Sequence, residues 1–363
     1  MSVSELRIDG YRSLQGLKLE MGRITLIRGA NGVGKSNLYR ALSLLGAAGA
    51  GRLAQAIAAE GGMTSLLWAG ARKKGAVRVG LGVDLDDWRY DLALGLPGPT
   101  EGALPLDPRV KDETLSLVLR GGRAAELLKR DGPSAWLRDD EGRRLAYERV
   151  LMTSESALAQ IQDARAFPEI TMVARRLADW RFYHDLPTGP GAPARMPQVA
   201  VAAPSLTDDG GNLAAVYETL RVIGDPHDFD EAFEDAFPGQ RLVVVEEGTR
   251  LSLAIERPGL FRPLGVAELS DGTLRYLGLL GALLGHKPAE LIVLNEPETS
   301  LYGDLVEALA RLVGRAAARS QLVVVTHSES LDRAVCAVAE SDDVDLKRYW
   351  MEMENGLSRV MPL

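Results

Sequence analysis

Leu26–Leu42 reads LIRGANGVGKSNLYRAL, and the fold class is decided in that stretch. An apolar, strand-like run over Arg23–Arg28, with Ile24, Leu26 and Ile27, gives way to three glycines and a lysine. A helix-like pattern follows, with Leu38, Leu42 and Leu45 on one face. Between them, Gly29, Ala30, Asn31, Gly32, Val33, Gly34, Lys35 and Ser36 match GxxxxGK[ST] in a strand–loop–helix context. Glycines let consecutive backbone N–H groups turn inward with no Cβ in the way, and the N-terminus of the following helix completes an anion cradle. Lys35 is expected to reach the β- and γ-phosphates and to have no core role, while the Ser36 hydroxyl ligates Mg²⁺. A glycine turn capping an ordinary helix would explain fewer of these positions. The stretch reads as a nucleotide site.

Composition sets the frame around that loop. At 363 residues the chain has room for one large domain or two modest ones. With 46% apolar and 25% charged residues it has the balance of a soluble globular protein. A single cysteine, Cys336, excludes an internal disulfide framework and suits a reducing cytoplasm; it reads as a small apolar helix residue. MSVSELRIDG enters a strand pattern directly, with no secretory signal, so a cytoplasmic location is expected. The longest apolar stretch, Leu274–Leu284, contains Arg275 and is too short to span a bilayer. The net charge of −8 does not advertise a nucleic-acid partner.

Segment by segment, residues 1–75 hold two short strands (LRIDGYRS and LQGLKLE), the loop, its helix and a second helix over Leu53–Ala59. Residues 76–150 turn to β, with VRVGLGVDL, WRYDLALGL and TLSLVLR separated by turn residues, an antiparallel insertion. Between residues 70 and 150 there are 15 Lys/Arg against 14 Asp/Glu, so no basic stripe forms; Arg72-Lys73-Lys74 reads as a solvated turn. Residues 151–285 are mainly helical. They include a helical pattern over Ser156–Trp180, a Pro/Gly-rich and mobile loop over Pro187–Pro197, and a helix capped by Asn212. DPHDFDEAFEDAF, with Phe229, Phe233 and Phe237 at i, i+4 and i+8, reads as an amphipathic helix rather than a metal site, and His227 as a surface residue. Leu242–Glu247 and Leu251–Glu256 form a hairpin, and no long heptad repeat appears.

Residues 286–363 carry the remaining polar clusters. Leu291-Ile292-Val293-Leu294 is a buried-strand run ending in Asn295-Glu296-Pro297-Glu298-Thr299-Ser300-Leu301, and Leu322-Val323-Val324-Val325 ends in Thr326-His327-Ser328. Just before them, Glu268–Arg275 reads ELSDGTLR and opens an apolar helix. In an open parallel α/β sheet such strand ends converge on one crevice.

In this order the clusters resemble an ABC-type ATPase head of the SMC/RecF branch, in particular the small AAA-family ATPases without a coiled coil. GANGVGKSN resembles their Walker A, including Asn37; LSDGT is similar to the ABC signature, LIVLNEPETSL to Walker B with its D-loop, and VVVTHS to the switch-histidine strand. The resemblance covers residues 1–45 and 265–335. It implies a single P-loop NTPase of ABC type, an α/β fold with a mixed or parallel sheet, an antiparallel β insertion and a helical signature lobe. It also implies ATP and Mg²⁺ as cofactors, Glu296 as general base and His327 as sensor of the γ-phosphate. Ser270 and Gly272 would bind the γ-phosphate of ATP held by a second copy in an ATP-dependent homodimer. Arg12 in GYRSL falls where this branch often puts a basic residue near the nucleotide.

Two departures stand out. Asn295 occupies the place of the aspartate that holds the metal's water shell, and no glutamine after the loop suits a Q-loop, Gln55 lying too early. Only 36 residues follow His327, too few for the nuclease domain of OLD-type relatives. Three functions are compatible with these motifs: a slow, dimerising ATPase, a RecF-type DNA clamp, and a regulatory ATPase that controls a separate effector such as an anti-phage or toxin partner. A membrane-transporter ATPase fits less well.

Overall fold

The computed structural model describes residues 2–70, 77–98, 104–119, 123–139 and 141–363; the basic triplet Arg72-Lys73-Lys74 lies outside the described residues. The chain begins with strands β1 (Val3–Asp9), β2 (Leu17–Glu20) and β3 (Ile24–Gly29) and helices α1 (Lys35–Gly49), α2 (Leu53–Ala59) and α3 (Met63–Leu66). Next come β4 (Val79–Leu85), β5 (Trp88–Gly95), β6 (Arg109–Val118), β7 (Ala124–Asp131), β8 (Ser134–Arg138) and β9 (Arg144–Ala146), then α4 (Ala157–Gln160) and α5 (Pro168–Ala178). The following segment holds β10 (Arg181–Tyr183), β11 (Gln198–Val199), α6 (Leu213–Ile223), α7 (His227–Ala236), β12 (Arg241–Glu247), β13 (Arg250–Glu256) and β14 (Leu264–Gly265). The chain finishes with α8 (Asp271–Leu284), β15 (Leu291–Asn295), α9 (Asp304–Ala317), β16 (Gln321–Thr326), α10 (Glu329–Ser341), β17 (Leu346–Glu354) and β18 (Leu357–Pro362). Two compact units result: Met1–Gly22, Gly29–Trp180 and Lys347–Leu363 in the first, Arg23–Arg28 and Arg181–Leu346 in the second.

In the first unit, period-two sequences give antiparallel strands. VGLGVDL of β4 buries Val79, Leu81, Val83 and Leu85, every second residue. Among the described residues the sheet runs β2-β1-β4-β5-β6-β7-β8-β9. Because β1 pairs with β2 on one side and β4 on the other, the strands after residue 76 share one sheet with the N-terminal hairpin. Strands β7, β8 and β9 were not apparent in the sequence, where charged side chains interrupt the alternation in AAELLKRD and leave RLA wholly exposed.

Polar anchors tie this sheet to α1. Glu113 of β6 and Arg130 of β7 are fully buried, 3.4 Å apart. The Glu113 carboxylate also accepts from Tyr90 Oη at 2.9 Å and from the first backbone N–H of α4, that of Ala157, at 2.7 Å. Burial pushes the Glu113 carboxyl up, opposed by these donors and by Arg130. Removing one partner of such a pair costs about 3–5 kcal/mol, because it strands the other. Next in sequence, Glu155 accepts from the N–H groups of Leu53 and Ala54, and Ser156 Oγ donates to Ala48 O at the end of α1. The helical pattern expected over Ser156–Trp180 is two helices, since Pro168 starts α5 afresh at its N1 position.

In the second unit, the runs LIVLN and QLVVVT are buried at every residue, as strands covered on both faces are. They form the parallel ladder β10-β15-β16-β3, with Asn295 beside Val325 and Thr326 beside Arg28. The core of this unit gathers Leu213 and Leu220 of α6, Phe229 and Phe233 of α7, Leu277 and Leu280 of α8, and Leu309 and Val313 of α9. Each such side chain contributes about 1.5–3 kcal/mol on burial. The expected phenylalanine stripe is present, with Phe237 edge-on to Tyr276 at 5.6 Å. The expected hairpin is β12–β13, paired over seven residues. Asn212 precedes α6, yet its side chain caps the Thr207 N–H rather than the helix.

Candidate functional site

The first unit holds the glycine loop. Gly32 and Gly34 have φ of 81° and 98°, left-handed conformations that an L side chain resists. Gly34 is the N-cap of α1, and no side chain caps that helix, which leaves its first-turn N–H groups without a side-chain acceptor, as an anion cradle requires. Lys35 is only 4% exposed, and its Nζ donates to the carbonyl oxygens of Gly29 and Ala30 at 2.7 and 2.8 Å. It is therefore more deeply built into the loop than the sequence implied. A buried ammonium among neutral carbonyls, inside a glycine cradle, fits a phosphate group.

A hydroxyl relay braces the loop from behind. Asn37 Nδ2 donates to Ser13 Oγ at 2.8 Å, and Ser13 Oγ lies 2.7 Å from Ser358 Oγ. Ser358 Oγ donates to Val33 O at 2.7 Å, so the proton between the two serines comes from Ser13. A Cβ at Gly34 would overlap the Ser358 hydroxyl. Ser13 and Ser358 were not among the residues singled out from sequence; their neighbour Arg12 was. Arg12 adopts a left-handed φ of 49°, and its Nη2 pairs with Glu60 at 2.7 Å, a carboxylate that also accepts from Tyr11 Oη.

The second unit places Asn295, Glu296, Glu298 and His327 at the ends of the adjacent parallel strands β15 and β16. Glu296 has a left-handed φ of 50°, which costs a non-glycine residue about 1–3 kcal/mol. Its backbone is over-determined: the N–H donates to Val325 O at 2.7 Å, and the carbonyl accepts from Thr299 and from Arg275 Nη2 at 3.2 Å. Arg275 thus fixes Glu296 from inside the apolar helix α8. Burial pushes the Arg275 pKa down, opposed by Asp185, Glu298 and Glu296. The Glu296 carboxylate points outward, 3.6 Å from His327 Nδ1.

Glu298 is buried, accepts from Thr326 Oγ1 and from the His327 N–H, and lies 3.5 Å from His327 Nδ1. It orients the histidine, which is 44% exposed at its side chain. Asn295 is 1% exposed; its Nδ2 lies 2.6 Å from His184 Nδ1, while its Oδ1 is buried with no hydrogen-bond partner. An orphaned buried acceptor fits the water shell of a divalent cation. Glu298, His184 and Arg275 escaped the sequence reading.

Ser270 caps α8, its Oγ accepting from the Thr273 N–H at 3.2 Å. Gly272 packs so closely that a Cβ would sit 2.7 Å from Ser300 O. The loop expected to be mobile is pinned here: Arg195 donates to the carbonyls of Thr188, Val266 and Leu269 and pairs with Asp271 at 2.9 Å. Among the described residues no helix is long and apolar enough to cross a membrane.

The sequence profile of the family described as "AAA domain, putative AbiEii toxin, Type IV TA system" matches residues 24–333. No curated protein matches the chain. Among solved structures the chain is similar to an SMC head bound to the C-winged helix domain of ScpA, at 17% identity and a TM-score of 0.55, over 100% of this chain and 98% of that one. It is similar to the SMC head domain from Thermotoga maritima, at 17% identity and a TM-score of 0.52, over 100% and 99%. A Smc head with an extended coiled coil from Pyrococcus furiosus, bound to the C-terminal domain of ScpA, gives 17% identity and 0.52, over 100% and 96%. At that identity the structural likeness establishes the fold. The profile match, over most of the chain, places it in this family of AAA-domain ATPases, with a fold similar to that of SMC heads.

Proposed function

We propose that this chain binds Mg-ATP, hydrolyses it slowly, and dimerises head to head around two nucleotides. The observation that carries the reading is Lys35, an ammonium held within a glycine cradle whose helix has no side-chain cap. In this reading the loop Gly29–Ser36 holds the phosphates, with Asn37 keeping the loop in register with Ser13. Lys35 moves from the Gly29 and Ala30 carbonyls onto the phosphates. Ser36 and Asn295 serve the Mg²⁺, which when bound neutralises charge on the phosphates. Glu296 aligns the attacking water, and His327, oriented by Glu298, contacts the γ-phosphate. Ser270 and Gly272 act on the ATP of the second copy. Arg12 reaches the nucleotide only by giving up Glu60, which makes it a secondary contact.

The biological setting favoured is DNA maintenance or defence in the cytoplasm. The alternative is a regulatory ATPase that controls a separate effector and does not itself bind DNA. Two observations support that alternative: the net charge of −8, and the toxin–antitoxin wording of the family description. The test is the solution mass of Glu296→Gln with and without Mg-ATP. A dimer that forms only with Mg-ATP supports the sandwich, and a monomer at high protein concentration refutes it.

A further inference from the structure

Strand β12 presents an open edge. It pairs with β13 over all seven residues, from Arg241 opposite Glu256 to Glu247 opposite Arg250, without a register shift. The far side of β13 is taken by β11 and β14. Among the described residues no strand pairs with the outer edge of β12, so every second N–H and C=O of Arg241–Glu247 points away from the sheet. Natural edges are blunted by lysine, proline, bulges or short length. β12 has no lysine, proline or bulge; its charges, Arg241, Glu246 and Glu247, are confined to its ends, and Val243-Val244-Val245 lie between them.

A groove of about 820 Å³ is lined by this strand together with Tyr217 and Arg221 of α6 and Phe233 and Glu234 of α7. The local charge is distinctive. Three of the 42 Lys/Arg and eleven of the 50 Asp/Glu fall in residues 199–250, leaving 39 of each elsewhere. The net negative charge of the whole chain is thus matched by that of the segment that carries this edge. Several of these acids are neutralised locally, Glu231 by Arg315 and Asp235 by Arg311. Glu246 and Glu247, at the end of the strand, are exposed and form no ion pair among the described residues. Antiparallel self-pairing would set Arg241 opposite Glu247, but it would also bring two segments of net negative charge together, which disfavours it.

We propose that β12 is a strand-addition site for an extended segment of a partner protein, apolar at alternate positions and bearing Lys or Arg opposite Glu246 and Glu247. Main-chain hydrogen bonds would supply affinity, and the groove and the two carboxylates would supply selectivity. The test uses the full chain and two synthetic peptides, KKVTVTVK and EEVTVTVE, followed by amide hydrogen exchange. The basic peptide should slow exchange at alternate amides of residues 241–247, and the acidic one should not. The double variant Glu246→Lys/Glu247→Lys, on an exposed strand end, should weaken the basic peptide at least tenfold. No protection at roughly 1 mM basic peptide, the weak end of measurable affinity, would overturn the proposal. Equal protection by both peptides would also overturn it. So would protection of β12 without peptide that rises with protein concentration alongside a dimer mass, which assigns the edge to a second copy.

Discussion

The Nζ of Lys35 lies 2.7 Å from the carbonyl oxygen of Gly29, six residues earlier in the same loop. On the proposed function, the ammonium that meets phosphate is already held by the backbone that would surround it. Lys35→Ala therefore has two effects. It removes nucleotide binding, and it leaves two loop carbonyls short of a donor, lowering stability by roughly 1–3 kcal/mol. Thermal unfolding with and without Mg-ATP separates them. Wild type gains about 2.7 kcal/mol at a hundredfold excess over Kd, and the variant gains nothing. An unchanged ligand-induced shift in the variant would refute the loop assignment.

The serine relay makes a different prediction. Ser358→Ala removes the donor to Val33 O and the acceptor for Ser13, at a cost of roughly 1–3 kcal/mol. The loop loses its brace while Lys35 and Glu296 stay in place, so KM for ATP should rise more than kcat falls. Gly34→Ala is harsher, because the left-handed φ of 98° and the Ser358 hydroxyl both oppose a methyl group. It should abolish ATP binding even when combined with Ser358→Gly.

Glu296 and Glu298 should separate by phenotype. Glu296→Gln keeps a neutral side chain on a strained but well-anchored backbone, so the protein should fold normally, bind ATP and lose roughly 100-fold or more in turnover. Glu298→Ala takes the acceptor from Thr326 Oγ1 and the His327 N–H and should lower stability by roughly 1–3 kcal/mol as well as turnover. Equal melting temperatures for the two variants would contradict the structural role given to Glu298.

Asn295→Asp tests the metal. The aspartate would place a full charge where the buried, unpartnered Oδ1 of Asn295 now sits, beside His184. Without Mg²⁺ that buried charge should destabilise the protein. With Mg-ATP the magnesium titration of steady-state turnover should move to lower concentration and higher rate. Superimposed titrations would remove any mechanistic meaning from the asparagine.

The turn ahead of α8 should be sensitive to acid. A hydrogen bond from Arg262, then one from the Gly265 N–H, lowers the Glu268 pKa to about 2. The folded value lies below the unfolded one, near 4.3. Its contribution is therefore complete above about pH 4.3 and is lost as pH falls toward 2. The pair is exposed, so salt should weaken it. Glu268→Gln should flatten this part of the acid-unfolding profile, and the carboxyl signal of Glu268 should titrate near 2 rather than near 4.

Where the candidate site was legible in the sequence, it was local. GANGVGKS combines a turn, a cradle and a cap within eight residues, and LIVLN and LVVV advertise buried parallel strands by apolarity alone. What was hidden depends on residues brought together from afar. Nothing in NEPETSL distinguishes Glu298, which turns inward to Thr326, from Glu296, which faces out. Arg275 looks like an interruption of an apolar helix until its guanidinium is seen on the Glu296 carbonyl. The mobile loop expected from PTGPGAPARMP was misjudged because proline and glycine report on backbone freedom, and the anchoring is done by one arginine side chain. The β7–β9 extension was missed for a related reason: an edge of the sheet exposed to solvent has no need to alternate.

The bond between Ser13 and Ser358 spans 345 residues of chain. Synthesis reaches Val33 of the glycine loop 325 residues before it reaches the serine that braces it. Over that interval the nascent chain carries an unbraced loop, and the brace arrives with the hairpin β17–β18. A chain cut short before Leu357 would keep every recognisable motif and lose the donor to Val33 O, so on the proposed function it should hold ATP poorly.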